Sequence, residues 1–140
     1  MLEQEKIREL IRTAMEQTTF SYVPYSGFRV GAALLAENGT VYTGCNIENA
    51  AYTPTNCAER TAFFKAVSEG VRTFRAICVV GGKDGVLTGY TAPCGVCRQV
   101  MMEFCNPDTF EIILAVNEEQ YRIFRLKELL PEGFGPSNLA

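Results

Sequence analysis

The apolar residues of this chain change period from segment to segment, and that alternation restricts the possible fold more than any single residue does. Ile7, Leu10, Ile11, Ala14, Met15 and Thr18 recur at helical spacing and predict an amphipathic helix over 2–19. Tyr22-Val23-Pro24-Tyr25-Ser26-Gly27 ends it, because proline and glycine interrupt helix and strand alike. Residues 28–37 and 40–48 are apolar-rich runs on either side of Asn38-Gly39. Asn-Gly accepts the positive φ angles of a type I′ turn, so a β-hairpin is predicted. Residues 49–56 read as a loop, 57–69 as a helix stopped by Gly70, and 75–80 as a short buried strand before a Gly-Gly-Lys-Asp-Gly loop. Pro93 stands where a first helical turn tolerates it, and 94–104 keeps helical periodicity. Residues 110–116 and 121–126 read as strands, and 127–130 as a short helix before Pro131. The order α-β-β-α-β-α-β-β predicts an α/β fold with helices on both faces of one mixed sheet. No repeat, low-complexity tract or Gly/Ser linker divides the 140 residues, so a single domain over 1–140 is expected.

Composition narrows the chemistry. Histidine is absent, which removes every imidazole base, every His metal ligand and the Ser-His and Cys-His dyads. A formal charge of −3 is unlike the strongly basic footprint of a nucleic-acid binder. No run approaches the ~20 apolar residues that span a bilayer. MLEQEKIREL is a charged amphipathic stretch rather than a signal peptide, so a cytoplasmic location without membrane attachment is expected. Six cysteines in such a chain point to metal or catalysis before disulfides, since a domain of this length folds without cross-links.

Cys94 and Cys97 form a CxxC pair, which alone is weak: about 0.2 such pairs arise by chance among six cysteines in 140 residues. Their setting adds more. Both Cys57 and the Cys94/Cys97 pair open a predicted helix, where unpaired N–H groups favour thiolate over thiol. Two such helix starts facing each other hold three thiolates around one soft cation, the pattern of a catalytic zinc with one open position. Glu59, two residues after Cys57, then lies beside the bound water as proton acceptor and donor; otherwise it is a carboxylate compensating the helix dipole. Three thiolates with Zn²⁺ leave one net negative charge, which Arg60 either offsets by donating to sulfur or ignores as an exposed helix residue. Cys45, Cys78 and Cys105 are expected to pack as small hydrophobes.

Cys57-Ala58-Glu59 followed by Pro93-Cys94-Gly95-Val96-Cys97 resembles the zinc deaminases, whose known pattern includes a three-cysteine variant with a non-ligand glutamate. Tyr25 to Leu34, Gly44 to Tyr52, Asn56 to Ala62, Pro93 to Val100 and Glu128-Leu129-Leu130-Pro131 extend the resemblance to the small homotetrameric cytidine deaminases over nearly the whole chain. The resemblance implies a three-layer α/β/α fold with a mixed five-stranded sheet and one zinc per subunit on Cys57, Cys94 and Cys97. It also implies hydrolysis of cytidine and 2′-deoxycytidine to the uridines with release of ammonia, in pyrimidine salvage. Zinc-activated hydroxide is then expected to attack C4 while Glu59 shuttles protons.

Asn46 and Glu48 stand two apart on a predicted strand, so their side chains emerge on one face, and an amide beside a carboxylate suits the paired hydroxyls of a ribose. Polar residues at a strand end also simply face water; the resemblance assigns this pair to the sugar, with Glu48 toward the 3′-OH. It further implies that Phe28 packs against the base, that Ala58 touches the substrate, and that Phe134 reaches the base from a neighbouring subunit. Tyr52 is expected at the same shared boundary. Blasticidin-type deaminases share the cysteines but lack a close match to Asn46 through Tyr52, which favours cytidine. Three rivals stay open: a thiol oxidoreductase using Cys94 and Cys97, a structural zinc module closed by Cys45, Cys78 or Cys105, and an enzyme acting on polynucleotides. The last is disfavoured by acidic charge and short length.

Overall fold

Helix α1 (Gln4–Gln17) buries Ile7, Leu10, Ile11 and Ala14, the stripe its period predicts, and a single 3₁₀ turn (Thr18–Phe20) follows it. The computed structural model describes residues 2–140. Strands β1 (Phe28–Ala36) and β2 (Val41–Cys45), helix α2 (Ala58–Ser68), strand β3 (Phe74–Lys83), helix α3 (Gly95–Phe104), strands β4 (Glu111–Ala115) and β5 (Tyr121–Arg125) and helix α4 (Leu126–Leu129) come next, in the predicted order. A second 3₁₀ turn covers Pro136–Asn138.

The five strands lie in the order β2-β1-β3-β4-β5. Only β3 and β4 pair in parallel, joined by α3 as a parallel crossover requires, and the other pairs are antiparallel. Successive strand residues point to opposite faces, so each face has its own core. Ala33, Leu35, Cys78, Val80 and Ile113 meet α1 on one side. Ala32, Leu34, Ile77, Val79, Ile112 and Leu114 pack with Ala62, Phe63, Cys97 and Met101 of α2 and α3 on the other. Helices therefore cover both faces of a mixed sheet, as expected. Among the described residues no helix is long and apolar enough to cross a membrane.

Two close approaches explain why glycine is required. A Cβ on Gly44 of β2 meets the Ala58 carbonyl at 2.2 Å, so α2 rests directly on the strand. A Cβ on Gly82 meets the Val86 carbonyl at 2.0 Å. The second contact corrects the sequence reading: Gly81, Gly82 and Lys83 are not a loop but the end of β3, paired with Val30, Arg29 and Phe28. Their glycines accommodate the returning chain rather than a turn.

The hairpin also differs in detail. Gly39 has φ +91°, whereas Asn38 has no positive φ, so the turn is not type I′. Gly39 N–H donates to the Ala36 carbonyl and Ala36 pairs with Thr40, giving a three-residue loop that ends on a left-handed glycine. Pro93 lies just before the N-cap of α3 rather than inside its first turn.

Candidate metal centre and substrate site

Strands β2 and β3 both run antiparallel to β1 and so finish at the same end of the sheet, and both metal-site helices start from there. Cys57 is the N-cap of α2 (φ −76°, ψ 156°) and Cys94 the N-cap of α3 (φ −68°, ψ 168°). Neither side chain caps its helix through a hydrogen bond, and both sulfurs lie in a common cluster instead. Cys97 lies one turn further along α3 and is buried. The three sulfurs sit within 4.8 Å of one another, with 3.7 Å between Cys57 and Cys94 and 3.5 Å between Cys94 and Cys97.

These separations are far longer than the ~2.05 Å of a disulfide, and all six cysteines are free. They match the ~3.8 Å edge of a tetrahedron with zinc ~2.3 Å from each sulfur. Among the described residues no fourth Cys, Asp or Glu joins the group, so the donor set fits zinc with three protein ligands. A redox dithiol uses only two of these sulfurs and leaves Cys57 beside them without a purpose. Cys78 and Cys105 are buried and Cys45 is half-buried at the end of β2, and none of the three belongs to the cluster. Burial pushes the thiols of Cys78 and Cys105 up, which suits packing rather than ligation.

Hydrogen bonding from the Cys97 thiol, joined by Arg60, lowers the Cys57 thiol to about 5, while the same contact moves Cys97 upward. Arg60 Nη2 donates to Cys57 Sγ at 3.3 Å, so this arginine is engaged with the cluster rather than freely exposed. Glu59, second residue of α2, is 4% exposed and is the only buried acidic side chain among the described residues. Burial pushes its carboxyl up to about 7, reinforced by the neighbouring Cys57 charge.

A cavity of about 160 Å³ brings Asn46, Ala58 and Glu59 together with Cys57 and Cys94. Thr55, Thr91 and Ala92 also line it and were not singled out in the sequence, although Thr91-Ala92 directly precede Pro93-Cys94. An adjoining depression of about 380 Å³ holds Glu48 with Tyr25, Ser26 and Tyr52, and Thr55 borders both.

Asn46 and Glu48 do not lie on a strand: β2 stops at Cys45, and Ile47 bridges to Tyr22 and Asn56 instead. The chain here pairs with a loop, and its two polar side chains tie it to neighbouring backbone, Asn46 to the start of β1 and Glu48 to the 23–27 segment. Asn46 accepts the Val30 N–H at 3.0 Å and donates to the Phe28 carbonyl at 2.8 Å. The Glu48 carboxylate accepts the N–H groups of Tyr25 and Ser26 and the Ser26 hydroxyl. Phe28 starts β1 and lays its ring against Gly81, and it lines neither hollow. Tyr52 is 72% exposed, with φ +63°, and meets Tyr25 edge to face. Phe134 is 57% exposed, outside both hollows, and its carbonyl accepts a hydrogen bond from Gln99.

A family model described as "Cytidine and deoxycytidylate deaminase zinc-binding region" matches residues 4–112. The cytidine deaminase of Sporosarcina psychrophila is 50% identical over 134 residues, covering 96% of this chain and 95% of that protein. The cytidine deaminase of Halalkalibacterium halodurans is 49% identical, covering 89% and 91%. The crystal structure of cytidine deaminase from Burkholderia pseudomallei is similar at TM-score 0.81 and 46% identity, covering 90% of this chain and 97% of that one.

Proposed function

The chain belongs to the cytidine and deoxycytidylate deaminase family, and from that premise we propose that it hydrolyses cytidine and 2′-deoxycytidine to uridine and 2′-deoxyuridine, with Glu59 carrying the protons. The observation behind this reading is a three-cysteine metal group and one buried carboxylate beside a single small cavity. Zinc bound by Cys57, Cys94 and Cys97 supplies Lewis acidity that makes water reactive near neutral pH.

Glu59 takes a proton from the attacking water and delivers it to N3 of the pyrimidine as oxygen adds to C4. It then takes the remaining proton from the oxygen now on C4 and hands it to the amino group, so that the C4–N bond breaks, the C4 carbonyl forms and ammonia leaves. Anchoring at the first turn of α2 fixes the carboxyl, and burial keeps bulk water from competing for its proton. Arg60 offsets part of the thiolate charge through Cys57. Asn46 and Glu48 bind the sugar hydroxyls, with Glu48 toward the 3′-OH, while Ala58 contacts the base and Phe28, set against Gly81 next to the cavity wall at Thr91, turns its ring to the base when substrate is bound. The experiment that tests this is incubation of zinc-loaded protein with cytidine: absorbance of the base falls and one ammonia appears per uridine. No turnover by fully loaded protein sinks the proposal and leaves a structural zinc module.

The depression that holds Glu48 is walled by Tyr25 and Tyr52, whose rings stand exposed. A wall supplied by another subunit accounts for that exposure. The proposed assembly is a cytoplasmic homotetramer with Tyr52 at the shared boundary and Phe134 reaching a neighbour's base. Light scattering is expected to give four chains per particle, and a fully active monomer overturns this part of the reading.

A further inference from the structure

We infer that Ser26 is a positioning residue for substrate recognition, holding the Glu48 carboxylate in the orientation that reads the sugar hydroxyls. The inference rests on the assignment of Glu48 to the sugar made above.

The 23–27 segment closes on itself when Gly27 N–H donates to the Val23 carbonyl at 3.0 Å, with Gly27 at φ +67°. The N–H groups of Tyr25 and Ser26 then converge on one oxygen of Glu48, Oε1, at 3.0 and 3.1 Å. Successive backbone N–H groups aimed at one point form an anion cradle, but two donors on one oxygen leave the carboxylate plane free to rotate. The Ser26 hydroxyl removes that freedom by donating to the other oxygen, Oε2. The same hydroxyl oxygen accepts the Phe28 N–H at 3.0 Å. Lys83, paired with Phe28 across β1 and β3, donates to the Ser26 carbonyl. Ser26 is thereby tied to the sheet end through its carbonyl and to Glu48 through its N–H and hydroxyl.

Acceptor capacity explains what this achieves. Oε1 is filled by two N–H donors, whereas Oε2 has one acceptor site left after the Ser26 hydroxyl. That remaining site suits a sugar hydroxyl, and its direction is set by Ser26. Glu48 is only half-buried, so without this contact its side chain has rotamers to lose on binding. The Ser26 hydroxyl, ahead of the backbone donors, also holds the Glu48 carboxyl below its ordinary value, as does nearby Lys83.

The test is a cycle of zinc-loaded wild type, Ser26→Ala, Glu48→Gln and the double variant, with Ser26→Thr as hydroxyl rescue. Each is read as KM and kcat for cytidine, alongside zinc content and melting temperature. Ser26→Ala is expected to raise KM about tenfold, the loss of one charge-assisted hydrogen bond, with kcat changed less than twofold. Ser26→Thr returns KM toward wild type, and the double variant matches Glu48→Gln alone because the two residues act as a unit. If Glu48→Gln raises KM while Ser26→Ala does not, or if the two effects multiply, the Ser26 inference fails and the sugar assignment stands. If Glu48→Gln leaves KM unchanged, the sugar assignment fails and takes the inference with it.

Discussion

Glu59→Gln is expected to keep its zinc and its fold while losing about 10²- to 10⁴-fold in kcat, the usual size of general acid–base assistance. Glutamine has nearly the volume of glutamate, so the buried position at the start of α2 is not disturbed. The neutral amide also relieves the cost of an ionised carboxyl in a site that already pushes it toward the protonated form. Melting temperature should therefore hold or rise as turnover collapses, and this opposite movement separates a catalytic effect from a folding defect. Steady-state kinetics, thermal melts and metal analysis on one preparation decide it. Wild-type turnover in the variant removes Glu59 from the mechanism.

Cys97→Ala should have an effect as large by another route. Cys97 is 1% exposed and is the member of the trio set inside α3, so no neighbouring cysteine swings in to replace it. Two sulfurs remain where a tetrahedral site needs at least three protein ligands. Zinc should fall from one per chain to a small fraction, and deaminase activity to background. The chain should still fold, because the apolar cores on the two sides of the sheet consist mainly of aliphatic and aromatic side chains that do not ligate metal. Chelation of wild type should act similarly, lowering the melting temperature by the lost binding energy without unfolding the protein. Retained zinc with full turnover in Cys97→Ala contradicts the ligand assignment, and loss of all secondary structure contradicts the independence of the cores.

What was legible in the sequence was whatever depends on near neighbours. The α1 stripe and the unbroken apolar runs of β1 and β3 show a helix with one apolar side and strands with two, which predicts helices on both faces of the sheet. The starts of α2 and α3 were legible for the same reason, since an N-cap is a local event. Errors arose where a distant segment decides. The end of β3 looked like a loop because the chain that folds against Gly82 begins only at Val86. Asn38-Gly39 fits two turn types, and a pairing of Ala36 with Thr40 selects the one with a single left-handed residue.

The candidate site divides in the same way. Residue types and the resemblance they carry pointed to Cys57, Glu59, Cys94 and Cys97, and the fold brings the three sulfurs together across a separation of 37 residues. The apolar-rich run that starts at Thr40 predicts a strand through Asn46 and Glu48. Nothing local to them reveals that Tyr22 and Asn56 compete for Ile47 and end the ladder there. Ser26 read only as part of a helix-breaking segment, because its partner Glu48 lies 22 residues away.

The most direct measurement is zinc K-edge X-ray absorption on the fully loaded protein. One zinc per chain with three sulfur neighbours at ~2.3 Å and one oxygen or nitrogen at ~2.0 Å is the expected result, since it leaves one coordination position for an exchangeable ligand. A shell of four sulfurs, or failure to hold stoichiometric zinc at all, contradicts the account.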